Sequence, residues 1–286
     1  MTEETLGPSD PEKQMVALRF SDICQTFAIR RTLSTDKFLS VVVGERGTAY
    51  LRESRQWRMR LVDNPIPDLK IVPRPGGYAR GQEGLEQILR AALDILVEEG
   101  SKALTFRNIA ARCGLKAGNL AYYFPVKEEL LRELLNAIIS GYEEAFDNIV
   151  QDPAAGPSER LGQLISLVLT DITSKRTTRV FPELWAMANH DAYVQDRVEE
   201  LYARARASLI ELIGEINPSL PEEEREITAL FFSASMEGMT MFAGYEKPWR
   251  GEIGALEYLA IKSFVQLVEN LRPGEIRKRI PVASAA

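Results

Sequence analysis

The chain of 286 residues has one histidine, His190, and two cysteines, Cys24 and Cys113. One histidine and two distant cysteines leave no zinc site of the usual kinds and no disulfide framework. They also leave no Ser-His-Asp or Cys-His arrangement, and no pair of carboxylates stands out for acid–base work, so no catalytic residue is assigned. Neither a cofactor nor a metal is expected. No apolar run approaches the roughly 18 residues of a membrane span. The opening MTEETLGPSDPEK lacks the basic-then-apolar order of a secretory leader, so the expectation is a cytoplasmic protein away from membranes. The most informative absence is local: between Gly100 and Lys127 there is no acidic residue.

That acid-free stretch holds Lys102, Arg107, Arg112, Lys116 and Lys127, whereas the chain as a whole carries a net charge of −6, and residues 128–286 alone carry 16 basic against 26 acidic residues. The total argues against a nucleic-acid binder. The distribution argues for one basic face turned to an anion. Cys113 reads as a small packed hydrophobe, and His190 as a structural or surface residue.

Residues 1–80 differ from the remainder of the chain. They have no sustained helical period, with β-prone runs at Phe38–Val43 and Thr48–Leu51 around Gly-Glu-Arg-Gly, which suits a hairpin near residues 38–51. Asp63-Asn-Pro-Ile-Pro-Asp and Pro73-Arg-Pro-Gly-Gly read as extended linker. A disordered or weakly structured extension, a small extra domain, and a true start at Met59 all remain open, with the first favoured by composition. From Gln82 onward the period is helical. Leu85, Ile88, Leu89, Ala92, Ile95 and Leu96 fall on one face of a first helix that stops near Gly100. Thr105 suits the N-cap of a short second helix, Gly114 ends it, and a third short helix runs from Lys116 to Phe124 before Pro125. A fourth spans Val126 to Val150. Further helices are expected at about Ser158–Ser174, Thr178–Asn189, Ala192–Ile216, Pro221–Phe242 and Glu252–Leu271, with no strand after residue 80. Ser219, Pro221 and Glu222–Glu224 mark one strong helix start.

Two short helices joined by a Gly-containing turn and flanked by longer ones form a helix-turn-helix pattern. Leu115, Leu120 and Phe124 can face the bracing helices. Ala117, Gly118, Asn119, Tyr122 and Tyr123 are then left for a DNA groove, where small residues permit close approach and Asn119 can pair with an adenine edge. Thr105, Arg107, Tyr123 and Lys127 are placed to reach phosphates.

The segment LTFRNIAARCGLKAGNLAYYFPVKEELL, Leu104 to Leu131, resembles the DNA-binding signature of TetR-family transcriptional regulators, and with the preceding helix the likeness covers about Gln82 to Ile139. Thr-x-Arg-x-Ile-Ala, the Gly-Leu turn, x-Gly-x-Leu-x-x-Tyr-Phe and Pro-x-Lys-Glu-Glu-Leu-Leu stand in register. The resemblance implies that Thr105, Arg107, Tyr123 and Lys127 hold the sugar-phosphate backbone. It implies too that Lys116, Ala117, Gly118, Asn119 and Tyr122 face bases or adjacent phosphates. Ala121 departs from the pattern, since many members carry Tyr there.

The fold class expected is all-α, with an irregular extension at 1–80, a helix-turn-helix domain at 81–140, a larger helical domain for ligand binding and dimerisation at 141–272, and a tail at 273–286. The resemblance implies a homodimer whose last two long helices meet their symmetry mates. The apolar stripes Ile227, Leu230, Phe231, Ala234, Met241 and Ile253, Leu256, Leu259, Ala260, Phe264, Leu267, Val268, Leu271 suit that role. It also implies a small apolar or amphipathic effector near Phe181, Trp185 and Met187. Met236 and Met239 are candidates for the same pocket, with helix core as their alternative. The expected function is a repressor binding a near-palindromic double-stranded operator and released by the effector. The alternatives are a ligand-independent regulator, a protein-interaction adaptor using the Met-rich surface, or a helical enzyme that happens to carry a helix-turn-helix.

Overall fold

The computed structural model describes residues 66, 69–73 and 79–278, all within the unit Leu61–Ala286. The hairpin expected near 38–51, Cys24 and the rest of residues 1–58 lie outside the described residues. Among those described, the secondary structure is helical with no strand.

Helix α1 (Ala79–Glu99) buries the six apolar residues expected on its inner face, from Leu85 to Leu96. It ends at Gly100, whose φ of 81° lies in the left-handed region that favours glycine. After a 3-10 turn, α2 (Phe106–Arg112) starts at Thr105, whose hydroxyl oxygen accepts the Asn108 N–H at 3.2 Å. Gly114, at φ 65°, turns the chain into α3 (Ala117–Tyr123), with Lys116 and Phe124 as its caps. Helix α4 (Lys127–Val150) then runs out of this head into the body.

The body comprises α5 (Pro157–Asp171), α6 (Lys175–Ala188), α7 (Ala192–Ile216), α8 (Glu222–Ala243) and α9 (Ile253–Asn270). Helix α6 begins three residues before the expected Thr178, because the Ser174 hydroxyl oxygen accepts the Thr177 N–H at 3.1 Å and caps it earlier. Ser219 does not cap α8. Pro221 holds the N-cap position, and the Ser219 hydroxyl donates to Asn217 at 2.6 Å instead. The segment expected as a plain tail contains a helical turn, α10 (Glu275–Lys278), where the Gly274 N–H donates to buried Glu224 at 3.0 Å.

Helix α7 is the hub, packing against α4, α5, α6 and α8, while α9 covers α5 and α8. Leu209, Leu212 and Ile213 on α7, Leu164 and Ile165 of α5 and Phe232 of α8 are all buried where these helices pack. Each such side chain contributes about 1.5–3 kcal/mol of burial. Phe232 of α8 stacks on Phe264 of α9 with centroids 4.1 Å apart. On the side of α8 and α9 turned away from this core, Leu230, Phe231, Phe242, Leu259 and Leu267 are exposed.

Ile66 and Leu69–Pro73 adopt neither helix nor strand, as expected of linker. They are nonetheless tied to the fold. Ile66 and Leu69 are buried, the Lys70 N–H donates to the Ala137 carbonyl of α4 at 2.8 Å, and the Lys70 ammonium pairs with Glu144 at 3.1 Å.

Candidate nucleic-acid interface and internal cavity

The period of α3 sorts its residues onto two sides. Leu120 and the following Phe124 are fully buried against the head, whereas Gly118, Asn119, Ala121 and Tyr122 face out, Tyr122 at 86% exposure. That exposed ring is the feature that sets this side of α3 apart. Lys116 at the N-cap of α3, Arg107 on α2 and Lys127 opening α4 are also exposed, and none makes an ion pair among the described residues. Thr105 accepts a bond as the α2 cap, so its hydroxyl proton is what it can offer a phosphate.

Two placements differ from a simple reading of the basic stretch. Arg112 is tied to Glu99 at 2.5 Å, and Lys102 lies in the field of Glu183, so Arg107, Lys116 and Lys127 are the cations left to an outside anion. Tyr123 is half-buried. Its ring crosses α1 at Gly84, where a Cβ would stand 2.2 Å from the phenol oxygen. The missing side chain at Gly84 therefore sets where Tyr123 can lie. Cys113 is buried with its thiol 3.6 Å from the Gln87 carbonyl, and burial pushes the thiol up from its ordinary range. His190 is exposed in the turn after α6.

Inside the body, α4, α5, α6, α7 and α8 enclose a cavity of about 50 Å³. Its walls include Tyr142, Phe146, Val168, Phe181, Leu201 and Met236, with Asp171, Thr177, Tyr202, Arg206 and Glu237 as the polar groups. Asp171 is fully engaged: the Tyr142 hydroxyl donates to it at 2.5 Å, the Thr177 hydroxyl at 2.6 Å and Arg176 at 3.0 Å. Burial, reinforced by the Asp171 charge, raises the Tyr142 hydroxyl well above its ordinary value. Tyr202 receives the Trp185 indole N–H at 2.8 Å and donates to Glu237. Burial, with the charge of Asp171 adding to it, pushes the Glu237 carboxyl up to about 7. The second oxygen of Glu237, Oε2, is buried without a hydrogen-bond partner.

Of the residues expected to line a pocket, the cavity gathers Phe181 and Met236, and Trp185 stands one hydrogen bond behind the wall through Tyr202. Met187 and Met239 do not line it. On α8 the cavity side is Ser233, Met236 and Glu237, spaced as one helix face. Met239 falls instead with Ala234, Gly238 and Phe242 along an outer groove that reaches Trp249 and Leu256 of the α9 side. Met187 lies two residues past Trp185, where α6 has rotated away. Sequence reasoning does not find Glu237, Asp171, Tyr142 or Tyr202. The one local signal is an isolated acid inside the apolar stretch from Ala229 to Ala243.

The body touches the head through more than α4. The Glu183 carboxylate of α6 accepts the Ser101 N–H at 2.9 Å, and bonds from Ser101 hold its carboxyl below the usual range. Lys175 reaches Glu98 of α1 at 2.7 Å, and Arg179 reaches the Val97 carbonyl at 3.3 Å. From α7, the Tyr193 hydroxyl donates to the Glu128 carbonyl in the first turn of α4 at 3.1 Å.

A braced short helix with one exposed face, joined to a larger helical body around a small cavity, defines a helix-turn-helix protein with a second helical part. Comparison with known proteins gives the family. Residues 88–134 match the family described as bacterial regulatory proteins, tetR family, and residues 157–255 match the C-terminal domain of BetI-type transcriptional repressors, the two together spanning about half of the chain. The chain belongs to the TetR family of transcriptional regulators, which are DNA-binding proteins and not enzymes. It is 26% identical over 155 residues to the HTH-type transcriptional regulator BetI of Stenotrophomonas maltophilia, covering 54% of this chain and 78% of that one. It is 30% identical over 143 residues to the HTH-type transcriptional repressor KstR2 of Mycobacterium tuberculosis, covering 49% and 62%. Among solved structures, a TetR-family protein from Mesorhizobium loti superposes with a TM-score of 0.55 at 15% identity, over 66% of this chain and 98% of that one. A Saccharomonospora viridis protein solved in complex with choline gives 0.54 at 19%, over 65% and 96%. Those two likenesses carry the fold.

Proposed function

We propose that this regulator is a homodimeric repressor that binds a near-palindromic operator and releases it when a small molecule enters the body cavity. The observation that carries the DNA-facing part is the exposed side of α3, with Gly118, Asn119 and Tyr122 flanked by the unpaired cations Arg107, Lys116 and Lys127. Cations and the Thr105 hydroxyl fix position on phosphates, whereas Asn119 and Tyr122 are the groups able to read base edges. Tyr123 supports them from Gly84 and offers its hydroxyl at the edge of the groove. The opening residue of α3, Ala117, lets the backbone approach closely.

The apolar outer side of α8 and α9 supports dimerisation. Phe231 and Phe242 are 53% and 66% exposed, larger rings than a lone chain leaves in water without a partner. A two-fold pairing there puts two α3 helices into successive major grooves about 34–36 Å apart. A protein of the same fold solved with a small organic molecule supports the sensing role of the cavity. The division into a head at 81–140 and a body at 141–272 follows the same logic, and α6 joins α4 as the contact by which the body can move the head. An effector acts only by favouring one dimer geometry over the other.

Fluorescence anisotropy of the full chain against DNA upstream of its own coding sequence tests this. Lys127→Ala is expected to weaken every sequence alike and to lower the salt slope by about 0.9 per dimer half. Asn119→Ala is expected to change sequence preference, losing about 1–3 kcal/mol of discrimination. Binding indifferent to both substitutions would overturn the assignment of the DNA face.

A further inference from the structure

The two acids of the cavity are not equivalent. Asp171 has three donors, from Tyr142, Thr177 and Arg176, which leave it little to offer a ligand. Glu237 receives one bond, from Tyr202, whose oxygen is itself held by Trp185. Its other oxygen, Oε2, is buried and unpartnered, and Glu237 makes no ion pair among the described residues. A buried carboxylate oxygen without a donor is unfavourable, so a group with a donor to spare is drawn to it. Aromatic rings stand beside it: Phe181 lies 6.1 Å from Tyr142 and 6.3 Å from Tyr202, both ring to ring. Such rings accept either methylene groups or a cation.

The alternatives fit less well. A neutral apolar occupant would leave Oε2 as it is. An anion could pair with Arg206, which also faces the cavity, but would sit beside both Asp171 and Glu237. Size sets a further limit. At roughly 10–15 Å³ for one water by this measure, a cavity of about 50 Å³ admits an occupant of only about three to five non-hydrogen atoms.

We propose that the effector is a small alkylammonium compound whose N–H donates to Glu237 Oε2 while its carbon chain lies against Tyr142, Phe181 and Tyr202. This assignment rests on the reading of the cavity as the effector site. A bound ammonium completes the acceptor that the fold leaves empty, on a carboxyl linked through Tyr202 to Trp185 of α6. The same α6 carries Glu183 to Ser101 at the base of the head.

The experiment uses the full chain with four probes: n-butylamine, n-butanol, butyrate and tetramethylammonium. Calorimetry and thermal shift report binding, and anisotropy with a DNA fragment that the protein binds reports release. Butylamine is expected to bind and to release DNA, with butanol and butyrate at least about tenfold weaker, as loss of a charge-assisted bond requires. Tetramethylammonium keeps the charge but has no N–H, and it too is expected to be at least about tenfold weaker. Glu237→Gln should cost butylamine at least about tenfold in affinity, and Tyr202→Phe a smaller factor, both with DNA binding in the absence of amine unchanged. Equal binding of butylamine to Glu237→Gln, or equal binding of butanol or tetramethylammonium, would overturn the proposal. DNA release by butanol or butyrate with no effect of butylamine would overturn it and leave the effector cavity standing. Substitution of Leu209 by Trp, which fills the cavity, separates the two readings further: release that survives it places the effector elsewhere and overturns both.

Discussion

Replacing Glu237 by Gln should alter how the stability of this protein depends on pH. The carboxyl is pushed up to about 7 by burial first and by the charge of Asp171 second, against an ordinary value of 4.5. A carboxyl raised on folding contributes stability that is complete below the unfolded value and is lost as pH rises through the folded one. The loss therefore falls between about pH 4.5 and 7. Over two to two and a half units at about 1.4 kcal/mol each, it amounts to roughly 3 kcal/mol. Glutamine has the same shape and no titration, so the difference in unfolding free energy between the native chain and Glu237→Gln should move by about that amount from pH 5 to pH 8. The native chain loses ground as pH rises. Urea melts of both proteins at pH 5, 6, 7 and 8, at one protein concentration, give the comparison directly, because the other carboxylates titrate in both and cancel. In thermal melts of a domain this size the relative shift would be about 6–12 °C. Two curves that stay parallel across the range would refute the reasoning, since they would mean that Glu237 is as well solvated folded as unfolded.

Other expectations are simpler to state. Gly84→Ala should displace Tyr123, whose phenol oxygen lies 2.2 Å from the site of the new Cβ, and lower DNA affinity while circular dichroism stays that of the native chain. An unchanged affinity would show that the position of Tyr123 does not matter to the DNA face. Phe242→Glu, on the exposed outer side of α8, should give monomers in sedimentation at micromolar concentration, and a dimer of native strength would move the interface elsewhere. Glu183→Ala removes the acceptor for the Ser101 N–H, at a cost of about 1–3 kcal/mol. Hydrogen exchange should then quicken at residues 101–113 more than in the body. The Glu183 carboxyl is held low, so this link is complete above the ordinary carboxylate range and is lost as pH falls through its lowered value.

The head is legible in the sequence because its determinants are local. Thr105 as a cap, Gly100 and Gly114 at left-handed positions, and Leu120 with Phe124 on one side of a two-turn helix each act within a few residues. The helical body is legible for the same reason, with α7 expected at Ala192–Ile216 and found there. The cavity is not. Phe181 and Met236 stand out by apolar character and helix position, but Tyr142, Asp171, Tyr202 and Glu237 come from four different helices, and only packing brings them together. Met239 and Met236 look alike in composition and sit only about 60° apart around α8, so only the packing of α8 shows that Met236 lines the cavity and Met239 the outer groove. The role of α6 is hidden likewise: nothing local ties Glu183, Lys175 and Arg179 to Ser101, Glu98 and Val97, about 80 residues earlier.

The short stretch around Lys70 has a practical consequence for handling the protein. Its amide and ammonium fasten it to Ala137 and Glu144 of α4, the helix that joins head and body. A chain shortened to begin at Met59 keeps the fastening. One shortened to begin at Ala79 loses it together with the buried side chains of Ile66 and Leu69, and is no longer a neutral trimming. A label on Lys70 would break the pair with Glu144 and load the joining helix, so reporter groups belong at other sites.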